Sequence, residues 1–295
     1  MSKKLVALFL CLALMVSAAA LADDDVIRVT DMFGREIVLT EPATRIVALT
    51  AADCEILCAL GCEEALVGRG QYCDYPASIL DVPVVLSGAE MNIEQILMLN
   101  PQVIIMGDMG HTKEQVDMLE ENGIKVVVSN ANDLEGTYEA IRIIGVVMGK
   151  EAEAEALVTE MQTVFADIAA DSPVTGKTVY FEVTPLQWGL WTAGGNTFMD
   201  ELATICGMTN VFADVDGWAA VSEEQVLMRN PDYIVSVAGM GAGAVDEIMT
   251  RPGWSEVTAV KNGHVFNADS NAIARPGPRL MDAARELEGF FGSAE

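Results

Sequence analysis

The stretch NIEQILMLNP at residues 92 to 101 returns as SEEQVLMRNP at residues 222 to 231, 130 positions later. Glu94, Gln95, Leu97, Met98, Asn100 and Pro101 recur without a gap as Glu224, Gln225, Leu227, Met228, Asn230 and Pro231. Six identities in ten positions point to a chain built from two related halves, each carrying its own local instructions. Asn92 and Ser222 are N-cap residues, and Gln95 and Gln225 stand three places on, where an amide can reach back to the backbone N–H of the cap. Asn-Pro ends each helix, because the residue before proline is pushed out of the α region and proline offers no donor. The runs that follow, VIIM at 103–106 and YIVSV at 233–237, are short and β-branched enough for buried parallel strands. Each unit is thus a capped helix, a turn and a strand. Glu94 and Glu224 are left in the first helical turn, where the helix dipole favours a negative charge.

Around these units the pattern alternates. Residues 26–39 read as two strands about the turn from Asp31 to Arg35. RIVALT at 45–50 is a strand, followed by a helix over about 52–60 that Gly61 closes, and LVG at 66–68 is the next strand. After the first copy come a helix reaching Gly123 and the strand KVVVS. Residues 134 to 170 are rich in Ala, Glu and Met and lack proline, which predicts a helix ending near Gly149 and a long one over about 151–170. KTVYFEV, a helix over about 196–206, the second copy, the strand HVFNA and a last helix over about 279–291 complete the chain. The expected fold is α/β, with two β/α lobes whose parallel sheets are bridged by a single long helix. Its divisions are a signal segment at 1–22, an N-terminal lobe at 23–140, an interlobe helix region at 141–172 and a C-terminal lobe at 173–295. Unlike a flexible linker, a helix between lobes limits their swing.

Lys3 and Lys4, the apolar run from Leu5 to Val16 and the Ala20-Leu21-Ala22 site spell a secretory signal peptide, cleaved near Ala22. Cys11 follows Leu10 inside the apolar run, so it does not read as a lipid attachment site. The protein is expected to be exported and periplasmic. With 17 basic against 44 acidic residues the chain carries a net charge of −27, which argues against nucleic acid and anionic membrane surfaces and favours a neutral or cationic ligand.

Cys54, Cys58 and Cys62, spaced by four, would lie along one face of a helix. They could hold a soft metal, but core packing is preferred because cysteine is among the most buried residue types and only two histidines, His111 and His264, are present. No metal site is expected. Nor does the chain contain GxSxG, HExxH, CxxC or Walker sequences, and no catalytic residue can be assigned.

Aromatic residues are scarce and gather in loops: Tyr72 and Tyr75 in QYCDYP, Trp188 and Trp191 in TPLQWGLWTAGG, and Trp218 in ADVDGW. In α/β folds such loops line the ligand crevice, where flat side chains suit a large ring-like or chelate ligand, although each could instead seal its own lobe. NAIARPGPR holds Arg275 and Arg279 between rigid turns, suited to an amide, carboxylate or phosphate. Arg279 is expected to start the last helix and pair with Asp282.

Taken together, RIVALTAADCEILCALG, YCDYP, the two repeated units, GNTFMDELATICGMTNVFAD, RPGW, AVKNGHVF and RPGPR resemble one family. It comprises the substrate-binding proteins of ABC importers for cobalamin, ferric siderophores and haem, the class III periplasmic-binding-protein-like group with a helical backbone between lobes. The likeness runs from about residue 28 to 290 and is greatest to the cobalamin-binding branch. It implies a non-enzymatic carrier, acting as a monomer, that delivers a corrinoid such as cobalamin or cobinamide to a permease dimer with its ATPase subunits. A ferric siderophore or haem is the alternative cargo, with Tyr72, His111 or His264 as axial ligand for haem.

The resemblance also assigns roles. Glu94 and Glu224 would dock with arginines of the permease. Tyr72 and Trp218 would contact the corrin, Trp191 would line the same cleft, and Asn271 with Arg275 would make polar contacts at its edge. Two departures stand out. Gly88 and Gly107 occupy places where the cobalamin branch can carry tryptophans, and Cys206 matches a cysteine that can pair with one in the last helix, which is absent here. Cys206 is therefore expected to be a free, buried thiol.

Overall fold

A computed structural model describes residues 26–107, 111–172, 175–241 and 243–293. The predicted signal segment, with Cys11, lies outside them. The first half comprises β1 (Ile27–Thr30), β2 (Glu36–Leu39), β3 (Ile46–Ala48), α1 (Ala51–Ala59), β4 (Leu66–Gly70), β5 (Val84–Val85), α2 (Ile93–Leu99), β6 (Val103–Met106), α3 (Lys113–Glu121) and β7 (Lys125–Val128). Two helices follow, α4 (Leu134–Met148) and α5 (Glu151–Asp171). Then come β8 (Thr178–Glu182), β9 (Trp191–Ala193), α6 (Phe198–Ile205), β10 (Thr209–Asn210), β11 (Trp218–Ala220), α7 (Glu223–Arg229), β12 (Tyr233–Ser236), α8 (Gly243–Met249), α9 (Thr258–Asn262), β13 (Val265–Asn267), α10 (Ser270–Ile273) and α11 (Leu280–Ser293).

Two all-parallel sheets organise the lobes, one ordered β5-β4-β3-β6-β7 and the other β10-β8-β12-β13. Each of the two repeated strands, β6 and β12, sits inside its sheet with a neighbour on either side. That position explains their unbroken apolar runs, because a strand covered on both faces alternates between two cores rather than between core and water. Ile105 and Val235 point to one continuous core, while Ile104 and Ile234 point to the separate outer core of their own lobe.

The continuous core runs through the bridging helices and joins the inner faces of both sheets. Helix α5 has 21 residues, about 30 Å at ~1.5 Å per residue. It packs on α4 and on α6 and α11 of the second half. The α4–α5 contact is close because Gly145 has no side chain, and a Cβ there would fall 2.5 Å from that of Ala154. The lobes are therefore joined by shared buried surface as well as by the chain. The expected boundary at residue 140 falls inside α4.

The repeated helices keep their sequence logic with one difference. The side chains of Asn92 and Ser222 accept from the backbone N–H of Gln95 and Gln225, and Asn100 and Asn230 close the helices at φ 48° and 44°. Asparagine is among the few residues other than glycine that tolerate this left-handed conformation. Gln225 completes the capping box by accepting from the Ser222 backbone N–H at 2.8 Å. Gln95 does not reach back: its amide donates to the Val84 carbonyl at 2.6 Å, on edge strand β5. An edge strand offers unpaired carbonyls, and that acceptor outcompetes the cap.

Candidate functional site

In parallel α/β sheets, ligand crevices lie beyond the carboxyl ends of the strands. There, Thr50, Ala51, Gly107, Ser129 and Asn130 of the first lobe meet Ala274, Arg275 and Pro276 of the second around a cavity of about 220 Å³. Thr50 is the N-cap of α1, accepting from the Asp53 backbone N–H at 3.1 Å while its hydroxyl donates to Asp53 Oδ2 at 2.5 Å. Asp53 is wholly buried, and burial pushes its carboxyl up to about 6, against the opposing hydrogen bonds from Thr50 and Ser129. The Thr50 hydroxyl in the cavity wall is thus held by a buried carboxyl, with Ser129 beside it.

A carboxyl raised by burial makes the folded state bind a proton that the unfolded chain releases, so its contribution to stability falls as pH rises through that range. Relative to Asp53→Asn, the protein should lose about 3 kcal/mol of unfolding free energy between about pH 3 and pH 7. Urea titrations of both chains across that range check this, and parallel pH profiles would show that Asp53 does not carry the effect.

The mouth of the cleft is built by the loop after β4. A Cβ on Gly70 would lie 2.1 Å from the Leu49 carbonyl oxygen, so only glycine lets β4 end so close to β3. Arg69, buried, donates from its guanidinium to the carbonyls of Cys73, Ile79 and Leu80 and pins the loop from beneath. Tyr72 is left 66% exposed on this loop. On the other lobe Trp191 opens β9 and is 43% exposed, and Trp188 stands out from the preceding turn. Trp218 differs from expectation. It lies on β11, paired antiparallel with β9, and its ring packs on Phe198 at 5.3 Å, so part of it is committed to the core.

Arg275 does line the cavity, but its guanidinium is engaged across the lobes. It donates to Glu55 at 3.0 Å and Asp74 at 2.6 Å, to the Tyr72 carbonyl at 3.3 Å, and to Asn271 Oδ1 at 2.8 Å. Arg279 overturns the expected pairing with Asp282. It stands just before α11 and points back across the junction, donating to both oxygens of Glu55 at 2.9 and 2.7 Å and stacking on the Tyr75 ring at 4.2 Å. Arg285 takes Asp282 instead. The physical reason is burial: Glu55 is almost fully enclosed, and a buried carboxylate demands the guanidinium more strongly than an exposed one does. The Arg275 guanidinium holds the Asp74 carboxyl below the ordinary range. Sequence reasoning missed this clasp, although a glutamate inside the apolar helix segment DCEILCALG was a signal that a buried charge needed a partner.

His264 stacks on Tyr233 at 4.6 Å, at the amino ends of β12 and β13, opposite the cleft. It is therefore not a ligand group. His111 Nε2 accepts from the Gly88 N–H at 3.1 Å, beside Gly107, and Gly88 itself is at φ 69°. Cys54 and Cys62 lie in the core and Cys58 is half-buried. Cys206 is a buried free thiol against the Ala284 carbonyl, and burial pushes it up to about 12.

Glu94 and Glu224 are exposed in the first turns of α2 and α7. Its own backbone N–H and the Ser222 hydroxyl hold the Glu224 carboxyl below the ordinary range, so it is charged at neutral pH.

Residues 46–272 match the protein family described as periplasmic binding protein. The chain is 30% identical over 268 residues to an uncharacterized ABC transporter substrate-binding lipoprotein of Bacillus subtilis, covering 88% of this chain and 84% of that one. It is also 30% identical over 249 residues to the vitamin B12-binding protein of Salmonella paratyphi A, covering 83% and 89%. Among solved structures, a possible iron-binding (periplasmic solute-binding) protein of Staphylococcus epidermidis superposes with a TM-score of 0.76 at 28% identity, over 85% of this chain and 99% of that one.

Proposed function

This chain belongs to the periplasmic binding protein family, and from that membership we propose that it captures a corrinoid outside the cytoplasmic membrane and delivers it to an ABC importer. The observation that carries the cargo is the pair of exposed aromatics in opposite lobes, Tyr72 on the loop after β4 and Trp191 at the start of β9, in the segment that follows β8. Flat apolar surfaces from two sides suit a rigid macrocycle. The net charge of −27 favours a ligand without many anionic groups, and the relatives include vitamin B12-binding proteins. Asn271 and Arg275 would meet the polar periphery, with Arg275 exchanging part of its clasp for ligand amides, and the remaining exposed edge of Trp218 would extend the wall. Glu94 and Glu224 would face the permease dimer, which works with its ATPase subunits, and the carrier would act as a monomer.

Haem or a ferric siderophore is the second reading, supported by the likeness to the iron-binding protein; for haem, Tyr72 remains as an axial group on the first lobe, and His111 would first have to give up the Gly88 N–H that its Nε2 accepts. Titration followed by tryptophan fluorescence separates the two. Cyanocobalamin or cobinamide should quench saturably, and Tyr72→Ala with Trp191→Ala should weaken that binding at least about ten-fold, or ~1.4 kcal/mol. Saturable binding of haem or a ferric hydroxamate with none of corrinoids would overturn the corrinoid assignment.

A further inference from the structure

Within the two repeated helices, the residues that face their own lobe differ, and the exposed glutamate, leucine and methionine recur. Ile96 and Val226, fully buried, fill different cores. Ile93 corresponds to Glu223, which accepts from the Trp254 indole N–H at 2.9 Å, and Leu99 corresponds to Arg229, which lies over the Phe212 ring at 4.4 Å and pairs with Asp214. By contrast Met98 is 80% and Met228 85% exposed, and Leu97 and Leu227 are each 36% exposed. Neither methionine contributes appreciably to a core. In each helix the spacing i, i+3, i+4 puts the glutamate, leucine and methionine on one face.

Scattered exposed apolar residues are ordinary. The same leucine and methionine beside the same glutamate, twice, at equivalent points of two lobes whose other contacts have diverged, are not scattered. We infer that the surface presented to the importer is a matched pair of patches, each a carboxylate flanked by a leucine and a methionine, and that the partner offers two equivalent sockets, each a basic group beside an apolar pocket. This inference rests on the docking reading of Glu94 and Glu224. A two-fold permease dimer supplies two such sockets by symmetry. Methionine suits the role because its unbranched, polarizable side chain adapts to a moving partner, and it is enriched at interfaces together with arginine. A second copy of this chain is the wrong occupant, since patch against patch would set glutamate on glutamate in an already acidic protein.

The test uses the whole chain and, as probe, the purified permease with its ATPase subunits from the same genome in lipid nanodiscs. Met98→Ser with Met228→Ser should weaken binding ten-fold or more and by the same factor at high salt, with ligand affinity and thermal unfolding unchanged. Glu94→Gln with Glu224→Gln should weaken binding at low salt, with the difference shrinking as salt rises. Wild-type affinity in the methionine pair while the glutamate pair is weakened would overturn the apolar half alone. Wild-type affinity in both would remove the docking reading itself. Self-association of the wild-type chain in sedimentation, lost in the methionine pair, would assign the patches to a second copy and overturn the inference.

Discussion

Replacing Glu94 and Glu224 together by glutamine should cut uptake of the bound ligand at least ten-fold while leaving its affinity for the carrier unchanged. Both carboxylates are exposed, on short helices held by their own caps, so the folded lobes do not depend on them. Glutamine keeps the shape and removes the charge. Charge pairs across protein interfaces are worth ~1.5 kcal/mol or more each, so losing two should weaken docking by about 3 kcal/mol, roughly a hundred-fold. Either single change should give about half of that free energy, because each lobe engages its own site. Transport within two-fold of wild type in the double variant, with ligand still bound, would mean that the importer does not read these residues.

Arg251→Ala should lower the free energy of unfolding by about 3–5 kcal/mol, because it strands a buried carboxylate. Arg251 donates two hydrogen bonds of 2.8 Å to Glu182 and also bonds Glu247, and its guanidinium lies 4.3 Å above the buried Trp254 ring. Among the described residues, Arg251 is the side chain that hydrogen-bonds the Glu182 carboxylate. Burial pushes its carboxyl up, against the opposing guanidinium. Without the arginine that rise is unopposed, so the deficit should shrink as pH falls and Glu182 takes up a proton. Urea unfolding at pH 8 and pH 5 measures both effects. Arg251→Met combined with Glu182→Leu should recover most of the loss, since an apolar pair of similar volume avoids the desolvation cost. An alanine variant as stable as wild type would show that the pair is solvated in solution. The same network reaches Glu223 through Trp254, so the alanine variant should also loosen the first turn of α7, beside Glu224.

Most of the element order was legible because it is written locally. Asn-Pro after a capped apolar segment located the ends of α2 and α7, and the VIIM run matched β6 residue for residue. The low-proline stretch divided at Gly149 into α4 and α5, as read, because glycine accepts the left-handed cap at φ 63°. The antiparallel pair β9–β11 was read as loop. Its strands are three residues each and 25 positions apart, too short for a period to declare itself. Trp218 was placed in a loop for the same reason; on β11 its ring packs on Phe198.

The candidate site divides along the same line. Tyr72, Trp191 and Arg275 were singled out by residue type and loop position and Asn271 by the family resemblance, and in the structure Arg275 and Asn271 meet at 2.8 Å. The clasp they belong to was not found, because Glu55 and Arg279 are 224 positions apart and nothing local marks them as partners.

The sequence by itself determined two related β/α lobes, the helices that begin each repeated unit, and the outward carboxylates Glu94 and Glu224. These follow from caps, turns and periodicities that act within a few residues. Only the tertiary structure decided that Arg279 closes the lobes on Glu55, that Gln95 leaves its cap for Val84, and that Met98 and Met228 remain in water. Which polar group wins a given partner depends on burial, and burial is set by segments far apart in the chain.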